Sequence, residues 1–245
     1  MLAGIDEAGR GPVLGPLVIG ICCIPDDKEG LLVEAGVKDS KDLTASRRRE
    51  IETWFKETSE ENGWYGTTIS LSAETVDLAL QGKGLNWLEV DGFRSALEAL
   101  PNRENVHIFA DACDVNAERF TERILTGLAQ WPWPNSQMVS EHKADARYPV
   151  VAMASILAKE ERDRSIAAMK ERLGFNVGSG YPSDPNTKTA LPDLVLQSEI
   201  DLDVRWGWAT VERFWAAHRN GEVPVRGQRR TVQERLIQPK DTRIS

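Results

Sequence analysis

The order in which short apolar runs and helical patterns alternate is the feature that most restricts the fold of this chain. Three runs rich in β-branched or aromatic residues come early, at 2–7, 13–24 and 64–71, and two more follow at 106–111 and 136–140. Strands that first follow one another and are later separated by helices form a mixed sheet with helices on both faces. The sequence therefore predicts an α/β protein with a mixed five-stranded sheet flanked by helices.

Helical patterns fill much of the remaining chain. The predicted helices cover about 45–60, 73–81, 84–100 and 116–129, a long stretch from Asp145 to about Leu173, and two short stretches near 186–197 and 208–219. Thr44 is a suitable N-cap for the first of them, because its hydroxyl can accept a hydrogen bond from a free N–H of the first turn. The stretch between the second strand and Thr44 is predicted to be a polar loop. Along the long helix, Lys159 with Asp163 and Glu160 with Arg164 are predicted to pair on the exposed side.

The predicted elements suggest one domain with a tail. We expect the domain over 1–219, with the sheet core over about 1–180 and a C-terminal helical extension over about 185–219, followed by a basic, flexible tail at 220–245. The longest apolar run, Val13 to Ile24, is about half of a membrane span and lacks a basic leader, so we expect neither an anchor nor a signal peptide. Three cysteines, two of them adjacent, do not make a disulfide framework, and we expect a reducing, cytoplasmic location.

The net charge of −8 does not by itself favour a nucleic-acid partner, because binding to phosphate needs cations. The charge is uneven, however. Residues 219–245 contain seven Lys or Arg and three acids, a net of +4, so the first 218 residues have a net charge of −12. Part of that negative charge lies in carboxylates that a metal site would neutralise, and local patches decide the partner.

Two adjacent acids, Asp6 and Glu7, end the first apolar run, and a glycine-rich turn follows them at once. Neighbouring carboxylates repel each other unless a cation or a proton lies between them. Gly9 and Gly11 allow a ligand to approach the backbone closely, and the guanidinium of Arg10 suits phosphate. These residues predict a metal site beside a phosphate site.

Two further acids are predicted at positions that a metal site would need. Asp111 ends the fourth strand, and Asp145 opens the long helix, where the helix dipole would favour its ionised form. Ligand sites in α/β sheets gather where strands end. Four oxygen ligands favour Mg²⁺ or Mn²⁺ over zinc, and two such ions suit an in-line phosphoryl displacement. Each acid alone could equally be a helix cap or a surface charge.

Five short motifs, in this order, give the chain a resemblance to ribonuclease HII, the type 2 ribonuclease H family. They are Asp6 to Gly11, Asp39 to Lys41, Asp111, Lys143 to Asp145 with Ala154 to Lys159, and Gly180 to Ser183. The resemblance runs from residue 4 to about 219, and the stretch from His142 to Pro149 is most similar to archaeal members. It implies the ribonuclease H-like fold.

The resemblance also implies roles for individual residues. Metal binding and catalysis fall to Asp6, Glu7, Asp111 and Asp145. Substrate binding falls to Gly9, Arg10, Gly11, Lys41 and Tyr181. The backbone of the three residues 9–11 and the Tyr181 hydroxyl would bond the 2′-OH of the ribonucleotide beside the cut. Lys41 would contact a phosphate. The 2′-OH distinguishes RNA from DNA, and a site built to bond it rejects deoxyribose. His142 is a candidate for a hydrogen bond to a metal ligand.

The expected activity is that of a metal-dependent endoribonuclease, a monomer that uses two Mg²⁺ or Mn²⁺ ions. It would hydrolyse the RNA strand of RNA–DNA hybrids and cut 5′ of ribonucleotides embedded in duplex DNA, leaving 3′-OH and 5′-phosphate ends. One alternative is a ribonuclease HIII-type hybrid nuclease. The early position of Asp6 and the residues around Asp145 count against this alternative. The other is a non-catalytic duplex-binding module, for which loss of an acid would be the mark.

Several other residues have competing interpretations. Ser155 and Lys159 are one helical turn apart and could face the site or serve only the fold. Cys113 has no neighbouring histidine in the sequence, so it is not predicted to be a nucleophile. Trp208 and Trp215 stand at helical spacing that favours packing over base stacking. Residues 233–236 begin a sliding-clamp binding pattern, but no aromatic pair follows, and clamp binding is not predicted.

Overall fold

The computed structural model describes residues 1–197 and 199–226. Most of the predicted tail, including the clamp-like sequence, lies outside the described residues. The described chain forms two compact units. The first contains Met1–Arg10, Leu17–Leu71 and Leu85–Asp163, and the second contains Gly11–Pro16, Ser72–Gly84 and the described residues from Arg164 onward.

The first unit is built on one five-stranded sheet. Its strands are β1 (Leu2–Ala8), β2 (Leu17–Ile24), β3 (Tyr65–Leu71), β4 (His107–Asp111) and β5 (Gln137–Glu141). The strand order is β3-β2-β1-β4-β5. Strands β1, β2 and β3 pair antiparallel, whereas β4 pairs parallel with both β1 and β5. The predicted mixed five-stranded sheet is confirmed.

Eight α-helices are present in the described residues. They are α1 (Glu29–Glu34), α2 (Ala45–Asn62), α3 (Ala73–Gln81), α4 (Leu85–Glu98), α5 (Ala117–Gly127), α6 (Pro149–Leu173), α7 (Pro185–Val195) and α8 (Ala209–His218). Helices α1, α2, α4 and α5 belong to the first unit, α3, α7 and α8 belong to the second, and α6 begins in the first and ends in the second. None of the helices within residues 1–197 and 199–226 is long and apolar enough to cross a membrane.

Two local predictions differ from the structure. Strand β2 begins at Leu17 and not at residue 13, because Gly15 has a φ of 82° and Pro16 offers no N–H to a neighbouring strand. The stretch after β2 was predicted to be a polar loop, but it contains α1, whose Leu32 is fully buried. The predicted cap of α2 is confirmed, because Thr44 Oγ1 accepts a hydrogen bond from the Arg47 N–H at 3.2 Å.

Close packing of α6 against two strands fixes the scaffold of the first unit. A Cβ added at Gly4 of β1 would lie 2.1 Å from the carbonyl carbon of Val150, and one added at Gly20 of β2 would lie 2.2 Å from the carbonyl oxygen of Ala154. No side chain fits at either position, so the backbone of α6 lies directly on the sheet. This contact holds the first half of α6 in a fixed position beside the end of β1.

The second unit has its own apolar core. Val13, Leu14, Ile166, Val204 and Trp215 are among the buried residues of that core. The packing role predicted for Trp215 is thus seen directly, since only 5% of its surface is exposed.

The chain remains packed in the second unit as far as Arg226, within the segment predicted to be a tail. The Arg226 side chain is buried and donates hydrogen bonds to the Asp77 carboxylate at 2.7 Å and to the carbonyl oxygens of Leu202 and Val204. Residues 220–226 therefore belong to the structured part of this unit.

Candidate active site

The parallel pairing of β1 and β4 brings two of the predicted acids to one end of the sheet. Ile5 pairs with Ala110, and Asp6 and Asp111 are the next residues of the two strands. Asp6 is buried. Burial, followed by the nearby carboxylates of Glu7 and Asp111, raises the pKa of Asp6 well above its ordinary value. Three of the four predicted metal ligands therefore lie close enough to repel one another.

A strained turn holds Asp111. Lys143 has a φ of 60°, a left-handed conformation that is uncommon for a residue with a side chain. With this backbone conformation the N–H of Ala144 donates to Asp111 Oδ1 at 2.9 Å, and the N–H of Lys143 donates to the same carboxylate. Burial nevertheless raises the pKa of Asp111 to about 6, with Glu7 and Asp145 contributing in the same direction. Strain in a turn beside buried acids is typical of functional sites.

Asp145 joins the other acids from a position that differs from the predicted one. It lies in a single 3₁₀ turn, Ala144–Ala146, whereas α6 begins only at Pro149, so the helix dipole is not what surrounds its carboxylate. Instead Lys41 Nζ lies 3.6 Å from Asp145 Oδ2. Partial burial would lower the pKa of Lys41, but the negative charges of Asp145, Asp39, Asp6 and Asp111 together outweigh burial and raise that pKa. Lys41 is thus a cation at the acid cluster, with most of its side chain exposed.

Ser155 connects the acid cluster to the loop that carries Lys41. Its hydroxyl donates to the Asp6 carboxylate, and its Oγ lies 3.1 Å from Ser40 Oγ. Of the two interpretations left open for Ser155, the structure supports contact with the site. Lys159 instead pairs with Asp163, as predicted.

The predicted exposed pair of Glu160 and Arg164 is wrong. Glu160 is buried, and Arg48 Nε of α2 donates to its Oε1 at 2.7 Å. Arg48 also pairs with Asp163 and donates to the carbonyl oxygen of Leu43 at 3.0 Å. A buried ion pair therefore anchors the end of the loop that carries Lys41.

Arg10 makes contacts inside the protein. Its guanidinium donates to the carboxylate of Glu89, which is fully buried, and to Asn86 Oδ1 at 2.9 Å. Gly9, the preceding residue, has a φ of 89°, which glycine adopts without strain. The structure thus places the Arg10 side chain on α4, and sequence reasoning gave no indication of Glu89.

Cys113 contacts a predicted metal ligand. Its thiol donates to Glu7 Oε2 at 3.1 Å, and the carboxylate oxygens of Glu7 and Glu89 and the Cys113 sulfur lie within 4.8 Å of one another. Burial, followed by the negative charge of Glu7, raises the pKa of Cys113 well above its ordinary value. The thiol is therefore protonated, and it serves as a hydrogen-bond donor, not as a nucleophile. Its position two residues after Asp111 was the only sequence signal.

Two predicted substrate-binding residues lie in the second unit. A Cβ added at Gly11 would lie 3.7 Å from the ring of Tyr181, so the two residues are neighbours. The residue before Tyr181 is fixed in place, because the carbonyl oxygen of Gly180 accepts hydrogen bonds from the N–H groups of Val13 and Leu14. Tyr181 is 38% exposed, which leaves it open to a ligand.

His142 is exposed, and within residues 1–197 and 199–226 no hydrogen bond joins it to a carboxylate. The structure thus gives no contact between His142 and a candidate metal ligand.

The donor set suits a hard divalent cation. Asp6, Glu7, Asp111 and Asp145 offer only carboxylate oxygens, which Mg²⁺ and Mn²⁺ prefer. Burial and the repulsion between neighbouring carboxylates raise the pKa values of Asp6 and Asp111. A bound cation would offset that repulsion with positive charge.

We expect Asp111→Asn to stabilise the metal-free protein. An acid whose pKa is raised from 3.8 to about 6 on folding binds its proton more tightly when folded, so the free energy of unfolding falls as the pH rises through that range. With a chelator at pH 7.5 the variant should gain roughly 1–2 kcal/mol, after allowance for solvent screening. At pH 4 the gain should largely vanish. Thermal unfolding at both pH values measures this, and a less stable variant at pH 7.5 would contradict it.

Comparisons of sequence identify one family. A family model described as Ribonuclease HII matches residues 3–211. The ribonuclease HII of Pyrococcus abyssi is 45% identical over 225 residues, which cover 91% of this chain and 95% of that protein. The ribonuclease HII of Methanococcoides burtonii is 38% identical over 216 residues, which cover 87% of this chain and 98% of that protein.

Comparisons of structure give the same result. The crystal structure of ribonuclease H2 from Pyrococcus horikoshii has a TM-score of 0.75 and 35% identity, and the match covers 88% of this chain and 97% of that one. The ribonuclease HII in a PCNA complex from Archaeoglobus fulgidus has a TM-score of 0.73 and 35% identity, with 85% and 95% covered. A Bst-RNase HIII structure in complex with Mn²⁺ is only 17% identical at a TM-score of 0.70 and supports the fold alone.

Proposed function

The chain belongs to the ribonuclease HII family and is thus an endoribonuclease of the ribonuclease H type, and from this premise we propose its substrate, products and metal requirement. The proposed substrates are RNA–DNA hybrids and duplex DNA that contains ribonucleotides. The proposed cut lies 5′ of the ribonucleotide and leaves 3′-OH and 5′-phosphate ends. The reaction requires Mg²⁺ or Mn²⁺.

The observation that carries the proposal is the cluster of buried or half-buried carboxylates at one end of the sheet. Asp6, Glu7, Asp111 and Asp145 come from three separate segments, and they affect one another electrostatically. Such a cluster costs stability. A non-catalytic module would be marked by the loss of one of these acids, and all four are present. Sequence identity of 38% and 45% to two ribonuclease HII proteins also disfavours the ribonuclease HIII alternative.

The four acids would hold two divalent ions. When bound, the ions would supply a nucleophile at neutral pH and stabilise the negative charge that develops on the phosphate. The protein's own contribution is to hold the ligands in place. Asp111 is oriented by the N–H groups of Lys143 and Ala144. Asp6 is oriented by the hydroxyl of Ser155, and Glu7 by the thiol of Cys113.

Other residues would bind the substrate. Lys41 is exposed beside the acids and is positioned for a phosphate oxygen. The backbone of Gly9, Arg10 and Gly11 and the hydroxyl of Tyr181 are proposed to bond the 2′-OH of the ribonucleotide, the group that RNA has and DNA lacks.

A sliding clamp is not part of the proposal. The Archaeoglobus fulgidus relative was solved in a complex with PCNA. In this chain the candidate sequence at 233–240 lacks an aromatic pair and lies outside the described residues.

The proposal is tested with an end-labelled DNA duplex that contains one ribonucleotide, beside an all-DNA duplex of the same sequence. We expect a single cut 5′ of the ribonucleotide with Mg²⁺ or Mn²⁺, none with a chelator, and none in the all-DNA duplex. A cut on the 3′ side, or cleavage that persists with the chelator, would overturn the proposal.

We expect Tyr181→Phe to slow cleavage of the single-ribonucleotide duplex by about 3- to 10-fold, which corresponds to the loss of one neutral hydrogen bond. Phenylalanine keeps the ring and removes only the hydroxyl. Tyr65→Phe, a change of the same kind in β3, is the matched control and should leave the rate unchanged. Equal rates for Tyr181→Phe and the natural chain would remove the hydroxyl from the proposed site.

A further inference from the structure

The buried side chain of Glu89 is a charged group for which the proposed function gives no role. No part of Glu89 is exposed, and its carboxylate accepts a hydrogen bond from Arg10. Asn86, three residues earlier in α4, accepts a second hydrogen bond from the same guanidinium at 2.9 Å. Residues three apart lie on one face of a helix, so this face of α4 holds the Arg10 side chain with two acceptors.

Stability alone does not explain this ion pair. Removing a carboxylate and part of a guanidinium from water costs about as much as their attraction returns, and apolar side chains of similar size often stabilise a fold at least as well. An ion pair with a fully buried carboxylate does, however, fix the relative position of the two segments that carry it. Here Arg10 and Glu89 are 79 positions apart in the chain.

The helix that carries Glu89 is itself held firmly. A Cβ added at Gly92 of α4 would lie 2.9 Å from Ile19 Cγ1 and 3.1 Å from Leu71 Cδ1, so α4 packs closely against β2 and β3. Arg10 is thus tied to a rigid part of the first unit. The same pair lies at the acid cluster, because carboxylate oxygens of Glu89 and Glu7 are within 4.8 Å of each other.

We propose that Glu89 is a positioning residue for ribose recognition: through Arg10 it holds the backbone of Gly9 and Arg10 in the conformation that bonds the 2′-OH. The inference rests on the proposed function, which assigns that backbone to the 2′-OH. It also gives the Arg10 guanidinium the role of an anchor on α4 in place of the phosphate contact that the sequence suggested.

The test compares two duplexes that differ at one 2′ substituent, a ribonucleotide and its 2′-fluoro analogue. Fluorine cannot donate a hydrogen bond and accepts one only weakly, so the ratio of the two cleavage rates reports how well the 2′-OH is bonded. The variants are Glu89→Gln, which keeps the size of the side chain and removes its charge, and Asn86→Ala, which leaves the ion pair intact. Asp91→Asn, an exposed acid on the same helix, is the matched control.

For Glu89→Gln we expect the preference for 2′-OH over 2′-fluoro to fall by about 10-fold or more, as for a lost hydrogen bond to a charged group. The fall should come from the ribonucleotide duplex, with the 2′-fluoro rate changing by less than about 3-fold. Asn86→Ala should lower the preference by about 3-fold, and Asp91→Asn should not change it.

Two results would overturn this inference while the proposed function stands: an equal loss of rate on both duplexes, or an unchanged preference in Glu89→Gln. If Glu89→Gln does not fold, the same two results are sought in Asn86→Ala, and either an equal loss of rate on both duplexes or an unchanged preference for 2′-OH over 2′-fluoro overturns the inference. If the natural chain cuts both duplexes equally well, the proposed recognition of the 2′-OH fails, and this inference fails with it.

Discussion

Asp6→Asn is expected to lower the rate of hybrid cleavage by at least about 100-fold at saturating Mg²⁺, which corresponds to about 3 kcal/mol of lost transition-state stabilisation. Asp6 is buried and is surrounded by Glu7, Asp111 and Ser155. Asparagine has nearly the same shape but no charge, so it weakens the hold on a divalent ion while the strand end keeps its packing. Single-turnover cleavage of a labelled RNA–DNA hybrid measures the effect.

Two controls separate loss of chemistry from loss of structure. Asp27→Asn removes an exposed acid far along the chain from the cluster and should leave the rate unchanged. Thermal unfolding of Asp6→Asn with a chelator should show a protein at least as stable as the natural one, because burial and like charges raise the pKa of Asp6. An Asp6→Asn protein that is stable and fully active would exclude Asp6 from the metal site.

Arg48→Met is expected to lower the free energy of unfolding by about 3–5 kcal/mol. The Arg48 and Glu160 side chains are 10% and 3% exposed, and removing the guanidinium leaves the Glu160 carboxylate buried without its cation. Methionine keeps most of the volume, so the loss comes from the unpaired charge and from the lost hydrogen bond to the Leu43 carbonyl. For a chain of this size the melting temperature should fall on the order of 10 °C.

The double variant Arg48→Met/Glu160→Met makes the physical cause testable. Because both charges are then absent, we expect it to recover more than half of the stability that Arg48→Met loses. Arg49→Met, an exposed neighbour on α2, should change the free energy of unfolding by less than about 0.5 kcal/mol. If the double variant is less stable than Arg48→Met, the stability lost in Arg48→Met comes from packing and not from the unpaired charge.

Much of the fold could be predicted because its signals are local. The strand runs, the N-cap at Thr44 and the spacing of the helices follow from residues within a few positions of one another, and the structure confirms the mixed sheet. Asp6 and Asp111 could be placed together because both end apolar runs, and strands that are parallel neighbours end at the same edge.

The remaining features depend on contacts between distant residues. The sequence suggested a phosphate contact for Arg10 and gave no role to Arg48. Their partners Glu89 and Glu160 lie 79 and 112 positions away, and no local pattern marks such a pair. Helix α1 was missed because six residues with one buried side chain leave almost no periodic pattern. The environment of Asp145 was assigned to a helix dipole because sequence alone did not place the start of α6 at Pro149.

The most direct measurement replaces one non-bridging oxygen of the phosphate at the expected cut with sulfur, in a duplex that holds one ribonucleotide. Mg²⁺ binds sulfur poorly, whereas Mn²⁺ accepts it. If ions held by the four acids contact this phosphate, one of the two phosphorothioate isomers should be cut at least about 10-fold more slowly with Mg²⁺, and Mn²⁺ should restore the rate. Equal cleavage of both isomers and the natural duplex with either ion would contradict a direct metal contact in the reaction.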